Sequence, residues 1–213
     1  MEIKHLYKNN SIDDEWLDSC IDYLRSDMGI TNNQELLKQT QLQFINSDLA
    51  DSTTGGLPSN ILELHNKCIF PTPSKGILLQ VQSITDVGIS SLSLKNNKEQ
   101  KHTIKLVLSD GRMSVNAFEY APIPNLSIST TAIGSKVIVK NVQVLHGTLL
   151  LTPQSLAFKG GRVEELENNR EKIIDNILDK RLGIKPETVQ SPAKPRNAEV
   201  QRTSNDVIEI DSD

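Results

Sequence analysis

Aromatic residues are scarce in this chain of 213 residues, where they make up 4% of the sequence. Two cysteines, Cys20 and Cys68, are too few for a disulfide framework or a cysteine-based metal site. A reducing compartment, the cytosol or the nucleus, is therefore expected. No apolar run approaches the ~20 residues needed to cross a bilayer, and the N-terminus has no apolar signal-peptide stretch. These absences predict an intracellular protein that does not bind membranes.

A net basic charge is also missing, because the formal net charge is −4 and the pI is about 5.6. Domains dedicated to nucleic-acid binding usually carry an excess of Lys and Arg, so any DNA binding must come from a local patch. Apolar residues make up 37% and charged residues 23% of the chain. This composition suits a soluble protein with a modest core and a disordered part.

Motifs for catalysis and metal binding are absent as well. The sequence contains no G-x-x-x-x-G-K-[ST], H-E-x-x-H or C-x-x-C motif, and its four histidines have no metal-ligand spacing. Cys20 lies on the apolar face of a predicted helix, which favours a structural thiol over a nucleophile. The acids at 13–15 suit the first turn of a helix better than a catalytic pair. We expect no enzymatic activity and no cofactor.

Residues 1–60 are predicted to form a helical module. Ser11 and the acids after it mark a helix start, and apolar residues from Trp16 to Leu24 recur at helical spacing. A second helix is predicted from about Asn33, and Phe44, Ile45 and Leu49 suggest a short third one. The composition of residues 51–60, DSTTGGLPSN, is typical of a linker.

Strand patterns replace helical ones from about residue 76 to 155. In the first predicted strand, Leu79, Val81 and Val87 lie on one parity, and in the second Ile104, Leu106 and Leu108 alternate with other residues. The third, fourth and fifth strands are predicted over 113–120, 136–144 and 149–151. Asp110-Gly111 predicts a hairpin turn. Five strands with a longer connection between the third and fourth favour an OB-type barrel, and the SH3-like barrel is the main competitor.

The C-terminal part carries a predicted helix over 163–182. Its apolar stripe is more easily explained by packing on the barrel or the N-terminal helices than by a partner surface. We therefore predict an α+β fold, in which an N-terminal three-helix module packs on a five-stranded OB-fold β-barrel. The helix closes the barrel domain, residues 61–183, and residues 184–213 are expected to form a disordered acidic tail.

Single-strand-binding OB barrels combine a basic groove with exposed aromatic residues. The barrel region has four aromatic residues, Phe70, Phe118, Tyr120 and Phe158, and at least two are expected in the core. Six basic residues on or near the strands could contact phosphates: Lys105, Arg112, Lys136, Lys140, Lys159 and Arg162. Each of them suits an ordinary solvated strand face at least as well. The prediction is weak, salt-sensitive DNA binding without sequence specificity.

Several motifs, in order over residues 10–182, resemble the RecQ-mediated genome instability protein 1 family. They are Trp16-Leu17-Asp18-Ser19-Cys20-Ile21, Leu106-Val107-Leu108-Ser109-Asp110-Gly111, Glu119-Tyr120-Ala121-Pro122-Ile123-Pro124, Gly134-Ser135-Lys136-Val137, Gly147-Thr148-Leu149-Leu150-Leu151-Thr152-Pro153 and Gly160-Gly161-Arg162-Val163. Each motif is weak alone, and the set is specific. Unlike the longer animal members, this sequence has no second OB domain, so a small OB partner is not expected.

The resemblance implies a nuclear, non-catalytic subunit that binds topoisomerase III, a type IA topoisomerase, and a RecQ-family helicase. In that family the subunit promotes decatenation and the dissolution of double Holliday junctions. An insertion between the first two barrel strands contacts the topoisomerase gate there. The matching segment here is 88–103, and the candidate contacts in it are Ile89, Leu92, Leu94 and Lys95. The competing hypothesis is a stand-alone single-strand DNA-binding OB protein.

The end of the chain carries one further signal. Val207, Ile208, Glu209 and Ile210 form a β-prone tetrad followed by acids. This pattern resembles a motif that binds the small ubiquitin-like modifier (SUMO) by strand addition to a sheet edge. An acidic tail with chance aliphatic residues explains the pattern about equally well.

Overall fold

The computed structural model describes residues 11–71, 75–88 and 103–182. Its helices are α1 (Asp14–Ser26), α2 (Asn33–Asn46), α3 (Leu49–Ser52), α4 (Glu164–Asn168) and α5 (Arg170–Leu182), with a 3-10 turn at Ile61–Glu63. Its strands are β1 (Lys67–Ile69), β2 (Ile77–Asp86), β3 (Ile104–Ser109), β4 (Ser114–Glu119), β5 (Lys136–Val139), β6 (Val142–Leu145), β7 (Thr148–Leu151) and β8 (Leu156–Gly160).

Side-chain caps set the starts of the N-terminal helices. The carboxylate of Asp13 accepts a hydrogen bond from the Trp16 N–H at 3.0 Å, so Asp13, and not Ser11, caps α1. The amide oxygen of Asn32 caps α2, which the sequence placed correctly. Phe44, expected in a third helix, belongs to α2. The third helix itself is the four-residue α3, because Asp48 starts a new cap there.

The helical module has its own apolar core. Leu17, Leu24, Leu36, Phe44 and Leu49 are all buried in it, and the Trp16 ring meets the Phe44 ring edge-on at 5.6 Å. Burying each such side chain contributes about 1.5–3 kcal/mol. This small core holds α1 against α2.

The strands form one sheet in the order β1-β6-β7-β4-β3-β2-β5-β8. All neighbouring pairs are antiparallel except β4 and β7, which are parallel. Only Lys140 and Asn141 separate β5 from β6, and Asn141 turns the chain with a φ of 47°. Because β5 pairs with β2 while β6 pairs with β7, this bent segment closes the sheet into an OB-type barrel. The predicted fourth strand, 136–144, is therefore two strands.

A bulge in β2 changes which residues face the barrel interior. Leu79 and Val81 lie in the barrel core, but the register shifts between Val81 and Ser83, and Ile84 then takes the inward position. The strand ends at Asp86, so the prediction that Val87 continues the inward parity is wrong. On the other face of β2, Leu78 packs into the core of the helical module. Hence both faces of β2 are covered.

Two strands and the placement of the aromatic residues were not predicted. β1 and β8 extend the sheet at its two ends. The expectation that at least two barrel aromatics lie in the core is wrong, because aliphatic side chains fill the interior. Phe70 and Phe118 are half-buried, Tyr120 is 73% exposed and Phe158 is 36% exposed.

The predicted helix over 163–182 is broken at Asn169 into α4 and α5. α5 contacts β2, and Leu178 is 1% exposed, so packing on the barrel is confirmed for α5. The Arg170 guanidinium donates to the carbonyls of Ile128 and Thr131 and to the Glu167 carboxylate. Burial raises the pKa of Glu167, but Arg170 and the Ile133 N–H outweigh burial and hold that pKa below its usual range. This clamp fixes the β4–β5 connection.

Candidate partner interface on the barrel

A hydrogen-bonded neck, formed by Asp86, Val87, Gly88 and Thr103, marks the place where residues 89–102 leave the barrel. The Val87 N–H donates to the Thr103 carbonyl at 2.9 Å. The Asp86 carboxylate, on a residue that is 2% exposed, accepts from the N–H groups of Gly88 at 2.8 Å and Thr103 at 3.3 Å. Both ends of the intervening segment are therefore held together. The candidate topoisomerase contacts Ile89, Leu92, Leu94 and Lys95 lie outside the described residues.

The outer face of β3, β4 and β7 lies beside this neck. Strand register places Lys105 opposite Phe118, and Phe118 opposite Leu150, in one row across the three strands. These three side chains are half-buried. The next row, Leu106, Ala117 and Leu149, faces inward and is buried. The outer row begins at the neck, because Lys105 pairs with Thr85 of β2, one residue before Asp86.

Two aromatic side chains on this face are available to a partner. Tyr120 follows β4 directly, and its N–H donates to the Leu151 carbonyl at 2.8 Å. Tyr120 lies two residues after Phe118, so the two Cα atoms are at most about 7 Å apart. The Lys105 Nζ lies 5.8 Å from the centroid of the Phe118 ring, within the range of a cation–π contact. The face thus offers aromatic surface with a positive charge beside it.

The candidate phosphate-binding residues do not form one patch. Lys105 lies at the neck end of the β3–β4 hairpin, and Arg112 lies in its turn at the other end. Lys140, Lys159 and Arg162 are exposed near β8. The sequence predicted a single set, but the barrel distributes these five residues over three separate places.

Lys136 has to be removed from the set of candidate phosphate contacts. It is 0% exposed, and its Nζ donates to the Gly134 carbonyl at 2.7 Å. Burial lowers its pKa to about 8, although the negative charge of Asp48 acts in the opposite direction. A buried lysine that faces the helical module cannot reach a DNA phosphate.

Asp110 is a central residue that the sequence did not reveal. Its carboxylate accepts four backbone N–H groups: from Arg112 at 2.9 Å, Met113 at 2.7 Å, Gly56 at 2.8 Å and Leu57 at 2.7 Å. Burial raises the pKa of Asp110, but these donors together hold it below the ordinary value. Only the two turn contacts follow from the Asp-Gly pattern. The other two attach the predicted linker to the barrel.

Three other side chains weighed from sequence, Cys20, His65 and His146, lie in the described ranges. The Cys20 thiol packs against the helical core, and burial raises its pKa. The rings of His65 and His146 stack at 3.9 Å between centroids. No three His, Cys, Asp or Glu side chains among the described residues are grouped as metal ligands. None of the helices described here is both long and apolar enough to span a membrane.

Two sequence models of one protein family match the chain. One, described as the RMI1 N-terminal helical domain, matches residues 4–52. The other, the RMI1 N-terminal OB-fold domain, matches residues 57–173, which is more than half of the chain. This chain belongs to the RMI1 family. The match to the OB-fold model begins at Leu57, whose backbone N–H donates to the Asp110 carboxylate in this chain.

Curated relatives agree with the RMI1 assignment, and each is named RecQ-mediated genome instability protein 1. The Arabidopsis thaliana protein is 31% identical over 168 residues, which is 76% of this chain and 25% of that protein. The Mus musculus protein is 30% identical over 200 residues, which cover 76% of this chain and 30% of that protein. The Schizosaccharomyces pombe protein is 27% identical over 207 residues, which cover 74% of this chain and 85% of that protein. The chain spans between a fifth and just over a third of the plant and vertebrate relatives.

Proposed function

We propose that this chain is a non-catalytic adaptor in RecQ-mediated genome stability. In this proposal it acts in the nucleus and joins a type IA topoisomerase, topoisomerase III, to a RecQ-family helicase. There it stimulates decatenation and the dissolution of double Holliday junctions. The proposal is supported by membership of the RMI1 family and by the names of the curated relatives.

The observation that carries the proposal is the neck below residues 89–102. Asp86 and the Val87–Thr103 pair fix both ends of a 14-residue segment beside a half-apolar face. A segment anchored in this way loses less conformational freedom when it binds than a free tail does. It can bias a topoisomerase gate only by its difference in affinity for the open and closed states. Leu92 and Leu94 are the proposed contacts.

The test is co-purification with topoisomerase III, followed by a decatenation assay. Leu92→Asp with Leu94→Asp is expected to lower both affinity and stimulation by tenfold or more, since two leucines contribute roughly 1.5–3 kcal/mol each when buried. The matched control, Ser91→Asp with Ser93→Asp, adds the same charges to the same segment and should keep both activities. If the two variants had equal affinity and equal stimulation, Leu92 and Leu94 would not be the contacts. A wild-type chain that captures no topoisomerase would remove the adaptor proposal.

A second candidate function is single-strand DNA binding on the outer face of β3 and β4. It is favoured by the exposure of Tyr120, the adjacent Phe118 and the nearby Lys105. Stacking of a base on an aromatic side chain contributes about 1–3 kcal/mol. Tyr120→Ala should therefore weaken binding about 5- to 150-fold, and affinity should fall steeply with salt. Tyr23→Ala, at an exposed tyrosine on α1, is the control, and equal affinities of the two variants would exclude this site.

The SUMO contact is also part of the proposal, and its residues Val207, Ile208 and Ile210 lie outside the described residues. A peptide of residues 204–213 should bind SUMO by strand addition. Ile208→Ala with Ile210→Ala should abolish that binding, and an unchanged affinity would show that the acids alone are responsible.

A further inference from the structure

β8 presents an open edge of the sheet. It is the last strand in the sheet order and pairs with β5 on one side, while no described residue pairs with its other side. Ala157, Phe158, Lys159 and Gly160 are exposed. Within the described ranges, nothing lies within 4 Å of the position that a Cβ on Gly160 would occupy. A strand in this state can accept the backbone of another extended segment.

The charges at this edge select the kind of strand that can pair with it. Lys159 lies in β8 at the register irregularity opposite Lys136 and Val137, and Arg162 follows two residues after the strand. Lys140 is tied to the start of the edge, because its N–H donates to the Ser155 carbonyl at 3.0 Å. A lysine on an edge strand discourages pairing with neutral apolar strands. The same charge favours an acidic one.

The chain itself contains a segment of that chemistry. Residues 206–213, DVIEIDSD, carry four acids and no base. Three of the four residues at 207–210 are β-branched: Val207, Ile208 and Ile210. No other four-residue stretch outside the described ranges has as many. Such residues favour extended pairing.

The connecting chain is long enough for this contact. The 24 residues from 183 to 206 separate Leu182, at the end of α5, from Val207. At up to about 3.3 Å each they can span ~80 Å. A domain of this size has a radius of gyration of roughly 15 Å, so any point on its surface is within reach. A tethered segment also has an effective concentration in the millimolar range.

We infer that residues 207–210 add to the free edge of β8 in the same chain, with their flanking acids beside Lys159 and Arg162. This contact covers the basic edge. It also occupies the tetrad, so that a second partner that recognises the tetrad competes with β8. The inference does not depend on residues 89–102, and topoisomerase co-purification tests those separately.

Hydrogen exchange of the full chain tests the contact. In the wild type the N–H groups of residues 157–160 that point to the open edge should exchange about tenfold more slowly than in Ile208→Asp with Ile210→Asp, because pairing with the tail removes them from solvent. The N–H groups that β5 already bonds serve as an internal reference. Val189→Asp with Val200→Asp adds the same charges to the same tail and should match the wild type. A peptide of residues 204–213 should restore slow exchange to the Ile208/Ile210 variant.

Three outcomes would overturn the inference. Equal exchange rates in all the chains would mean that residues 207–210 do not cover β8. Equal acceleration in both variants would mean that tail charge, and not strand pairing, causes the protection. Protection that rises with protein concentration would assign the edge to a second copy of the chain.

Discussion

Replacement of Asp110 by asparagine tests how the linker is attached to the barrel. The asparagine keeps one acceptor oxygen, so two of the four backbone donors lose their partner. Hydrogen bonds to a charged group contribute about 1.5–3 kcal/mol each, which gives a gross loss of roughly 3–6 kcal/mol. The carboxylate no longer has to be desolvated, which offsets part of this loss. We expect Asp110→Asn to lower the free energy of unfolding by about 3 kcal/mol.

Urea unfolding followed by circular dichroism measures this difference. Asp22→Asn, at an exposed position on α1, removes the same charge and should change stability by less than ~0.5 kcal/mol. Because the pKa of Asp110 is lowered in the folded state, its stabilising contribution is present above the unfolded pKa, about 3.9, and is lost as the pH falls through the folded value. The wild type and Asp110→Asn should therefore converge in acid. A variant as stable as the wild type at neutral pH, or a difference that persists unchanged in acid, would refute the reasoning.

Three more substitutions have measurable consequences. Between pH 8 and 10.5 the unfolded chain binds more protons at Lys136 than the folded chain does. The free energy of unfolding of the wild type should therefore rise by about 3 kcal/mol relative to that of Lys136→Met over this pH range. If both proteins showed the same pH dependence of stability, this expectation would be wrong. Gly111→Ala should lower the stability of the fold by more than about 2 kcal/mol, because φ is 100° and the added Cβ meets the Leu49 carbonyl. Gly29→Ala, where φ is 65° and the added Cβ has open space, should lower it by only about 1 kcal/mol. If thermal melts gave equal losses for the two variants, the contact with Leu49 would be unimportant. Arg170→Ala should cost about 1–3 kcal/mol and speed proteolysis of the β4–β5 connection; unchanged cleavage would show that the clamp is dispensable.

Local chemistry made much of the fold predictable from the sequence. The start of α2 follows from Asn32 and its backbone donors, and the β3–β4 hairpin follows from Asp110-Gly111. Alternation of apolar residues located β3 correctly, since Ile104, Leu106 and Leu108 all face the core. Signals of this kind depend only on neighbours in the sequence, which is why they can be interpreted without a structure.

Contacts between distant parts of the chain were not predictable in the same way. Lys136 lies on a predicted strand and suits a solvated face, but Asp48 and the helical module cover it. β1 and β8 lie at the two ends of the sheet and each has a single buried residue, so neither shows an alternation of buried and exposed positions. The bulge in β2 reverses the parity at Ile84 without any glycine to mark it.

The candidate interface shows the same division. The sequence located the segment between the first two barrel strands and named Lys105 as a basic residue on the next strand. It did not predict the exposure of Tyr120, because it expected at least two of the four barrel aromatics in the core without saying which. The fully buried residues of this barrel core are aliphatic, and among the four aromatic residues only Phe70, which is half-buried, packs against them.

The burial of β2 on both faces has a mechanical consequence. Leu78 and Gln80 lie against the helical module, Leu79 and Val81 lie in the barrel, and the same strand ends at the neck below residues 89–102. The helices therefore cannot swing as a hinged arm without breaking the strand that closes the barrel. A partner that binds both α1 and the neck below residues 89–102 contacts two sites at a fixed distance from each other. The chain can thus hold the two sites at a fixed distance, so less orientational freedom is lost when a partner binds both of them.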